Sequence, residues 1–215
     1  KVDDYVGQIR AMRDDDVTLV VASDHGFTSL DYEVHCNAWL EEEGWLTFED
    51  DDHDDLTDIA EESRAYSLIP GRFYINLEGR EPRGSVAKSE YEQTRAELKA
   101  ALESLEGPDG NPVCERVVEK EDAFRGEHDD IAPDLVAIPN RGFDLKSGFK
   151  GHDDVFDVGP RNGMHSFDDA SLFVDDSTAS VADADLLDIA PTILDLMDVD
   201  YGRTDFDGGS LVTSK

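Results

Sequence analysis

The chain has 215 residues, of which 52 are acidic and 19 are basic, and its formal net charge is −33. This balance argues against nucleic acid and anionic membranes as partners, because both bind basic surfaces. Hydrophobic residues still make up 39% of the chain. The sequence can therefore build a core, which an intrinsically disordered acidic chain cannot do.

The acidic residues gather in runs, such as 49–52 and 129–130. In molar salt the Debye length is only about 3 Å, so the mutual repulsion of such runs is screened. We interpret the composition as an adaptation to high salt. The alternative is an ordinary acidic protein with solvated charged faces.

The cysteines and the hydrophobic runs bear on the cellular location of the protein. Cys36 and Cys114 lie too far apart, and are too few, to make a disulfide framework. The sequence shows no apolar run of about 18 residues and no visible signal peptide. We therefore expect a cytoplasmic protein.

The predicted elements alternate between helices and strands. Val2, Val6, Ile9 and Met12 have near-helical spacing and predict a helix over 1–13. The remaining predictions, in chain order, are a strand at 17–23, a helix at 37–44, an acidic insertion at 49–62, a strand at 72–76, a helix at 89–105, strands at 113–118 and 134–138, a glycine-rich loop at 141–164, a strand at 171–174 and a helix at 185–197. In the last helix, Pro191 favours the first turn, with Asp188 as the N-cap. The alternation predicts an α/β fold, and the continuous apolar run at 17–23 predicts a layered, mostly parallel sheet flanked by helices.

The first strand stops at Asp24 and His25. Binding sites in open α/β sheets form beyond the carboxyl ends of the strands. A carboxylate and an imidazole together suit Zn²⁺, and also Mn²⁺ or iron. Gly26 allows the backbone to turn there without steric cost. The alternative is that Asp24 caps the next turn and that His25 is only a polar loop residue.

Six segments in a fixed order carry a resemblance to a known family. They are VVASDHGF at 20–27, NAWLEEEGWL at 37–46, FYINLEGREPRG at 73–84, APDLVAI at 132–138, NGMHSFDDASLF at 162–173 and DIAPTILDLMDV at 188–199. Together they resemble the type I phosphodiesterase/nucleotide pyrophosphatase branch of the alkaline-phosphatase superfamily. The resemblance covers nearly the whole chain.

This resemblance implies a hydrolase with two divalent ions, usually zinc, that acts on phosphodiester or nucleotide-like small molecules. Asp24 and His25 match the pair on the ion that activates the nucleophile. His165 matches a histidine on the other ion. Manganese or iron is the alternative to zinc.

The same resemblance implies that part of the family's machinery is not matched here. The family's Thr or Ser nucleophile and further metal ligands precede the SDHG motif, and no residue of this chain corresponds to them. We interpret 1–215 as the C-terminal part of a single alkaline-phosphatase-like domain and expect the isolated chain to be inactive. An incomplete sheet would expose an edge and apolar surface, so a homo-oligomer is also expected.

Two alternatives to this function remain open. One is a non-catalytic module of the same fold that binds metal or a partner. The other is a different hydrolase of the superfamily, such as a sulfatase.

The remaining candidate residues are ambiguous. Arg80 could bind a phosphate oxygen through its planar guanidinium, or it could tie its loop to an acidic partner. His152 lies in the glycine-rich loop and could approach the site. His35 is not expected to bind metal, and His53 and His128 lie among acids and are expected to be solvated.

The composition generates a prediction about salt. We expect the chain to lose its fold in dilute buffer, because the repulsion within a net charge of −33 is no longer screened there. Far-UV circular dichroism in molar salt and in dilute buffer measures this. An unchanged spectrum would contradict the salt-adapted interpretation.

Overall fold

The structure is a computed structural model that describes residues 1–126, 128–152 and 154–213. In chain order its elements are α1 (Val2–Met12), β1 (Val20–Ala22), β2 (Gly26–His35), α2 (Cys36–Glu42), β3 (Ala65–Ile69), β4 (Arg72–Ile75), α3 (Tyr91–Glu103), β5 (Cys114–Glu119), α4 (Lys120–Ala123), β6 (Leu135–Pro139), β7 (Gly142–Lys146), β8 (Phe156–Asp157), β9 (Gly163–Ser166), β10 (Leu172–Val174) and α5 (Ile189–Leu196). The chain forms two compact units. The first unit contains Lys1–Phe27 and the residues from His165 onward, and the second unit contains Thr28–Met164.

The first unit is organised by a two-stranded antiparallel sheet. Strand β1 pairs with β10, with Val20 opposite Val174 and Ala22 opposite Leu172. Helix α1 is attached to the end of β10, because the Arg10 Nε atom lies 2.9 Å from a carboxylate oxygen of Asp175. The pairing aligns the carboxyl end of β1 with the start of β10.

The apolar face of α1 is exposed. Val2, Tyr5, Ile9 and Met12 lie on one side of the helix and are 55–84% exposed. Among the described residues, the buried hydrophobic side chains lie between Leu30 and Met164, and so belong to the second unit. The segments of the first unit are joined by the pairing of β1 with β10 and by ion pairs from Arg10 and Arg13 to Asp175.

The second unit has a continuous hydrophobic core. Its sheet has the order β3-β4-β6-β5, and α3 contacts β4, β5 and β6 through Leu98 and Leu102, which lie one helical turn apart and are at most 1% exposed. A second sheet has the order β7-β2-β8, and β9 also pairs with β2. The tryptophans of the core, Trp39 and Trp45, are 6% and 8% exposed.

The α/β class is confirmed, but the predicted mostly parallel sheet is wrong. Strands β3, β4, β5 and β6 pair in antiparallel fashion, as do β1 with β10 and β2 with β8. Strands β2 and β7 pair in parallel. One reason is connection length: only Pro70 and Gly71 separate β3 from β4, and a two-residue connection joins antiparallel strands alone.

Most predicted helices and strands are confirmed, but the predictions omit the short helix α4 and several strands. The predictions omit the ten-residue strand β2 and the strand β3. The segment 141–164, predicted as a loop, contains β7, β8 and the start of β9. Asp188 is the N-cap residue of α5, and Pro191 is its third residue, as predicted.

Several smaller features complete the description. The acidic segment 49–62 contains a 3₁₀ turn at Leu56–Asp58, closed by a reciprocal capping box between Asp55 and Asp58. Cys36 and Cys114 are free and buried. Within the described ranges, no helix combines the length and apolar character needed to cross a membrane.

Candidate metal centre

Asp24 and His25 occupy the short connection between β1 and β2. The residue before them, Ser23, is fixed from both sides by Ser171. The Ser23 amide donates to the Ser171 carbonyl at 2.9 Å, and the Ser171 amide donates to the Ser23 hydroxyl oxygen at 2.7 Å. This exchange extends the β1–β10 ladder by one residue and holds the backbone directly before Asp24.

Gly26 is required for a different reason from the one expected. Its φ is not positive, so the backbone turn does not demand glycine. The constraint is close approach: a Cβ at this position would lie 1.8 Å from the Asp168 carbonyl oxygen and 2.3 Å from the Ser166 hydroxyl oxygen. Any side chain would therefore push the segment 166–168 away from the backbone that follows His25.

That close approach brings His25 beside His165. His165 lies in β9, which pairs with β2, and the two imidazole rings meet edge to face with centroids 4.5 Å apart and an interplanar angle of 64°. Residues separated by 140 positions in sequence thus become neighbours. The structure therefore brings these two candidate residues together, and their role as metal ligands stays a prediction.

The tautomer of His25 follows from its backbone contact. Its Nδ1 atom lies 2.8 Å from the Gly26 carbonyl oxygen. Since a carbonyl oxygen can only accept, Nδ1 carries the hydrogen, and Nε2 of the neutral ring keeps its lone pair. A lone pair at Nε2 is what a metal ligand needs.

Asp24 and His25 have a spacing that suits one ion. The Asp24 Oδ1 and His25 Nε2 atoms are 3.5 Å apart, and the Asp24 and His25 side chains are 80% and 42% exposed. Zinc binds both atom types at about 2.0–2.2 Å, so two donors at this separation can reach the same ion. Among residues 1–126, 128–152 and 154–213, however, no group of three His, Cys, Asp or Glu side chains is close enough to hold an ion together.

The comparison with protein families decides the identity. A family model described as type I phosphodiesterase / nucleotide pyrophosphatase matches residues 1–168, which include Asp24, His25 and His165. The chain belongs to the type I phosphodiesterase/nucleotide pyrophosphatase family, part of the alkaline-phosphatase superfamily. No curated protein and no solved structure matches this chain. Membership in this phosphodiesterase family indicates a hydrolase.

Arg80 of this phosphodiesterase family member is engaged by buried partners in the second unit. Its guanidinium donates to both oxygens of Asp134, at 2.8 and 2.6 Å. It also donates to Glu81 at 2.8 Å and to the Ile75 carbonyl at 2.7 Å. These bonds support the interpretation that Arg80 ties its loop to acidic partners, rather than the interpretation that it binds a phosphate.

Asp134 is the centre of this network and is fully buried. Besides Arg80, it accepts hydrogen bonds from the Tyr91 hydroxyl at 2.6 Å and from the Ile75 amide at 2.7 Å. Burial by itself would raise the pKa of Asp134. The hydrogen bonds from Arg80, Tyr91 and Ile75 outweigh that effect and hold the pKa below its ordinary value.

The other histidines are distributed as follows. His152 stacks on His35 with ring centroids 3.6 Å apart; both belong to the second unit. The expectation that His53 is solvated is wrong, because its half-buried ring stacks on Phe48 at 3.5 Å and its Nδ1 atom bonds the Phe149 carbonyl. His128 is exposed, as expected.

The structure also identifies residues that sequence reasoning did not assign to the site. Ser166 and Ser171 are not conspicuous in the sequence, since a serine near a motif has no periodicity of its own. Their contacts depend on pairing between segments about 140 residues apart. The one available signal was Gly26 in the SDHG motif. We attributed this glycine to a backbone turn, whereas it is needed for the close approach of the segment 166–168.

The Asp134 network generates a stability prediction. We expect Asp134→Asn to lower the free energy of unfolding by about 3–5 kcal/mol, because it removes the fully buried carboxylate that pairs with Arg80 and leaves Glu81 as the remaining acidic partner of that guanidinium. Since the pKa of Asp134 is lowered in the fold, its contribution is present above about pH 4, the ordinary aspartate value, and is lost as the pH falls below that. Urea titrations at several pH values measure both effects.

A matched control is the exposed pair of Arg64 and Glu97, joined at 2.9 Å. Glu97→Gln makes the same chemical change in a solvated pair and should leave unfolding almost unaltered. Equal effects of the two substitutions would contradict a special role for Asp134.

Proposed function

We propose that this chain contributes to a metal-dependent hydrolase of phosphodiester or nucleotide pyrophosphate bonds, with Asp24, His25 and His165 as metal ligands. The observation that carries the proposal is the contact between the His25 and His165 rings, with centroids 4.5 Å apart, inside the range that the family model matches. The two ions of such sites lie about 3.5–4 Å apart. Adjacent histidines suit ligands of two neighbouring ions.

The donor set fits this assignment. A carboxylate oxygen and imidazole nitrogens are ligands for zinc, with manganese or iron as alternatives. When bound, two divalent ions supply charge stabilisation to the attacking and leaving oxygens of an in-line displacement. Asp24 and His25 would hold one ion, and His165 would contribute to the other.

The protein's own part in this chemistry is orientation. The bond from His25 Nδ1 to the Gly26 carbonyl fixes the tautomer and the ring direction, as second-layer partners of metal-bound histidines do. The exchange between Ser23 and Ser171 holds the backbone on the other side of Asp24. Both anchors use backbone groups, so the ligands start from a constrained position.

We further propose that residues 1–215 bind metal without turnover. The family resemblance assigns the Thr or Ser nucleophile to no residue of this chain. Ser23 is a poor substitute, because its hydroxyl oxygen already accepts from the Ser171 amide at 2.7 Å. A covalent intermediate needs a free, activated hydroxyl.

This proposal predicts zinc binding that depends on the two histidines. His25→Ala and His165→Ala should each weaken Zn²⁺ binding by at least about tenfold. The loss of a contact that merely supports a metal ligand already weakens binding by about that factor, and these substitutions remove the ligand itself. Isothermal titration calorimetry in molar salt measures the affinity. His128→Ala, at an exposed position in the second unit, is the matched control and should bind as the wild type does.

Activity is assayed in parallel with bis(4-nitrophenyl) phosphate and Zn²⁺. We expect no turnover above the rate in buffer. Zinc-dependent turnover that is lost in His25→Ala would support the hydrolase and overturn the proposed inactivity of this chain. Zinc binding that none of the histidine substitutions alters would contradict the metal site and favour a module without this function.

A further inference from the structure

Ser166 follows His165 directly and is the last residue of β9. The residue is 7% exposed, so its hydroxyl needs a hydrogen-bond partner within the protein. The hydroxyl donates to the Asp168 carbonyl oxygen at 2.8 Å. This bond closes the turn over 166–168, just where the chain leaves the strand that carries His165.

The closed turn rests on Gly26. Both atoms of the hydrogen bond face the position that a Gly26 side chain would take: a Cβ there would lie 1.8 Å from the Asp168 oxygen and 2.3 Å from the Ser166 oxygen. The turn therefore lies against the backbone of the residue that follows His25.

Gly26 thereby links the two histidines. Through its carbonyl oxygen it accepts from His25 Nδ1 and sets the direction of that ring. Because its Cα carries no side chain, the turn that follows His165 can pack directly against it. A displacement of the 166–168 turn would move His165 relative to His25. The hydrogen bond from the Ser166 hydroxyl to the Asp168 carbonyl restrains that displacement.

We propose that Ser166 is a positioning residue for the candidate metal centre, and that its hydroxyl bond to the Asp168 carbonyl keeps His165 in contact with His25. The role of Ser166 toward metal rests on the proposed function. The role of Ser166 in the ring contact does not, because that contact is a property of the chain itself.

The competing explanation is that strand pairing alone places His165. Strand β9 pairs with β2, and that ladder could hold His165 without help from the Ser166 hydroxyl. In that case Ser166 only satisfies its own polar group in a buried place. The two explanations differ in what happens to the histidine rings when the hydroxyl is removed.

The experiment compares the wild-type chain with Ser166→Ala and Ser166→Thr by NMR in molar salt. The first readout, without metal, is the nuclear Overhauser contact between the His25 and His165 rings together with the tautomer of His25. The second readout is the Zn²⁺ affinity from calorimetry. Ser177→Ala, at an exposed serine of the same unit, is the matched control.

We expect Ser166→Ala to weaken or abolish the ring contact and to lower the Zn²⁺ affinity by about tenfold, the lower end of the effect of losing a supporting contact. Ser166→Thr keeps the hydroxyl and should keep the ring contact, and Ser177→Ala should match the wild type. A ring contact unchanged in Ser166→Ala would overturn the proposal, as would its equal loss in Ser166→Thr.

These readouts separate the two proposals. If the wild-type chain binds no Zn²⁺ through His25 and His165, the proposed function fails, and the metal-free ring contact still decides the role of Ser166. If Ser166→Ala does not fold, the role of Ser166 is tested on the wild-type chain by NMR. On warming, a His25–His165 ring contact that is lost together with the exchange protection of the Ser166 hydroxyl proton supports the proposal, and a ring contact that outlasts that protection contradicts it.

Discussion

The candidate site depends on the close antiparallel contact between the chain around β1 and the chain around β10. The strand register places Ala22 opposite Leu172, and Ser23 and Ser171 extend that ladder through reciprocal bonds. Because Gly26 has no side chain, the turn at 166–168 can approach its backbone. Asp24 and His25 are held between these two constraints. The candidate ligands of the first unit are therefore positioned by backbone contacts, in a unit whose described residues bury few hydrophobic side chains.

The second unit is stabilised by a different kind of interaction. Its hydrophobic core surrounds a fully buried carboxylate, Asp134, whose charge is balanced by Arg80 and by neutral donors. Such a group is costly to bury unless every partner is in place. The GREP turn, in which sequence reasoning saw a phosphate ligand as one option, thus supplies the counter-charge of a structural network. Conspicuous charged motifs can serve the fold as readily as the substrate.

The sequence predicted the elements whose signals are local. Helix α1 followed from its apolar spacing, and the start of α5 followed from Asp188 and Pro191. Strand β2 was missed because Gly26 was interpreted as a turn residue, and antiparallel pairing was missed because a short apolar run resembles a buried parallel strand. Asp24 and His25 were candidates from their place at a strand end, and His165 came from the family resemblance. The reasons for their proximity, at Gly26 and Ser166, depend on contacts between distant segments that no local pattern encodes.

We propose that Asp24, His25 and His165 form a metal centre. An anomalous-scattering map, collected at the zinc edge from crystals of the chain grown with Zn²⁺, is the decisive test. We expect a peak about 2.0–2.2 Å from His25 Nε2 and from an Asp24 carboxylate oxygen, with His165 next to it. A zinc-saturated crystal with no peak at these residues, although their side chains are ordered and close together, would rule out this metal centre.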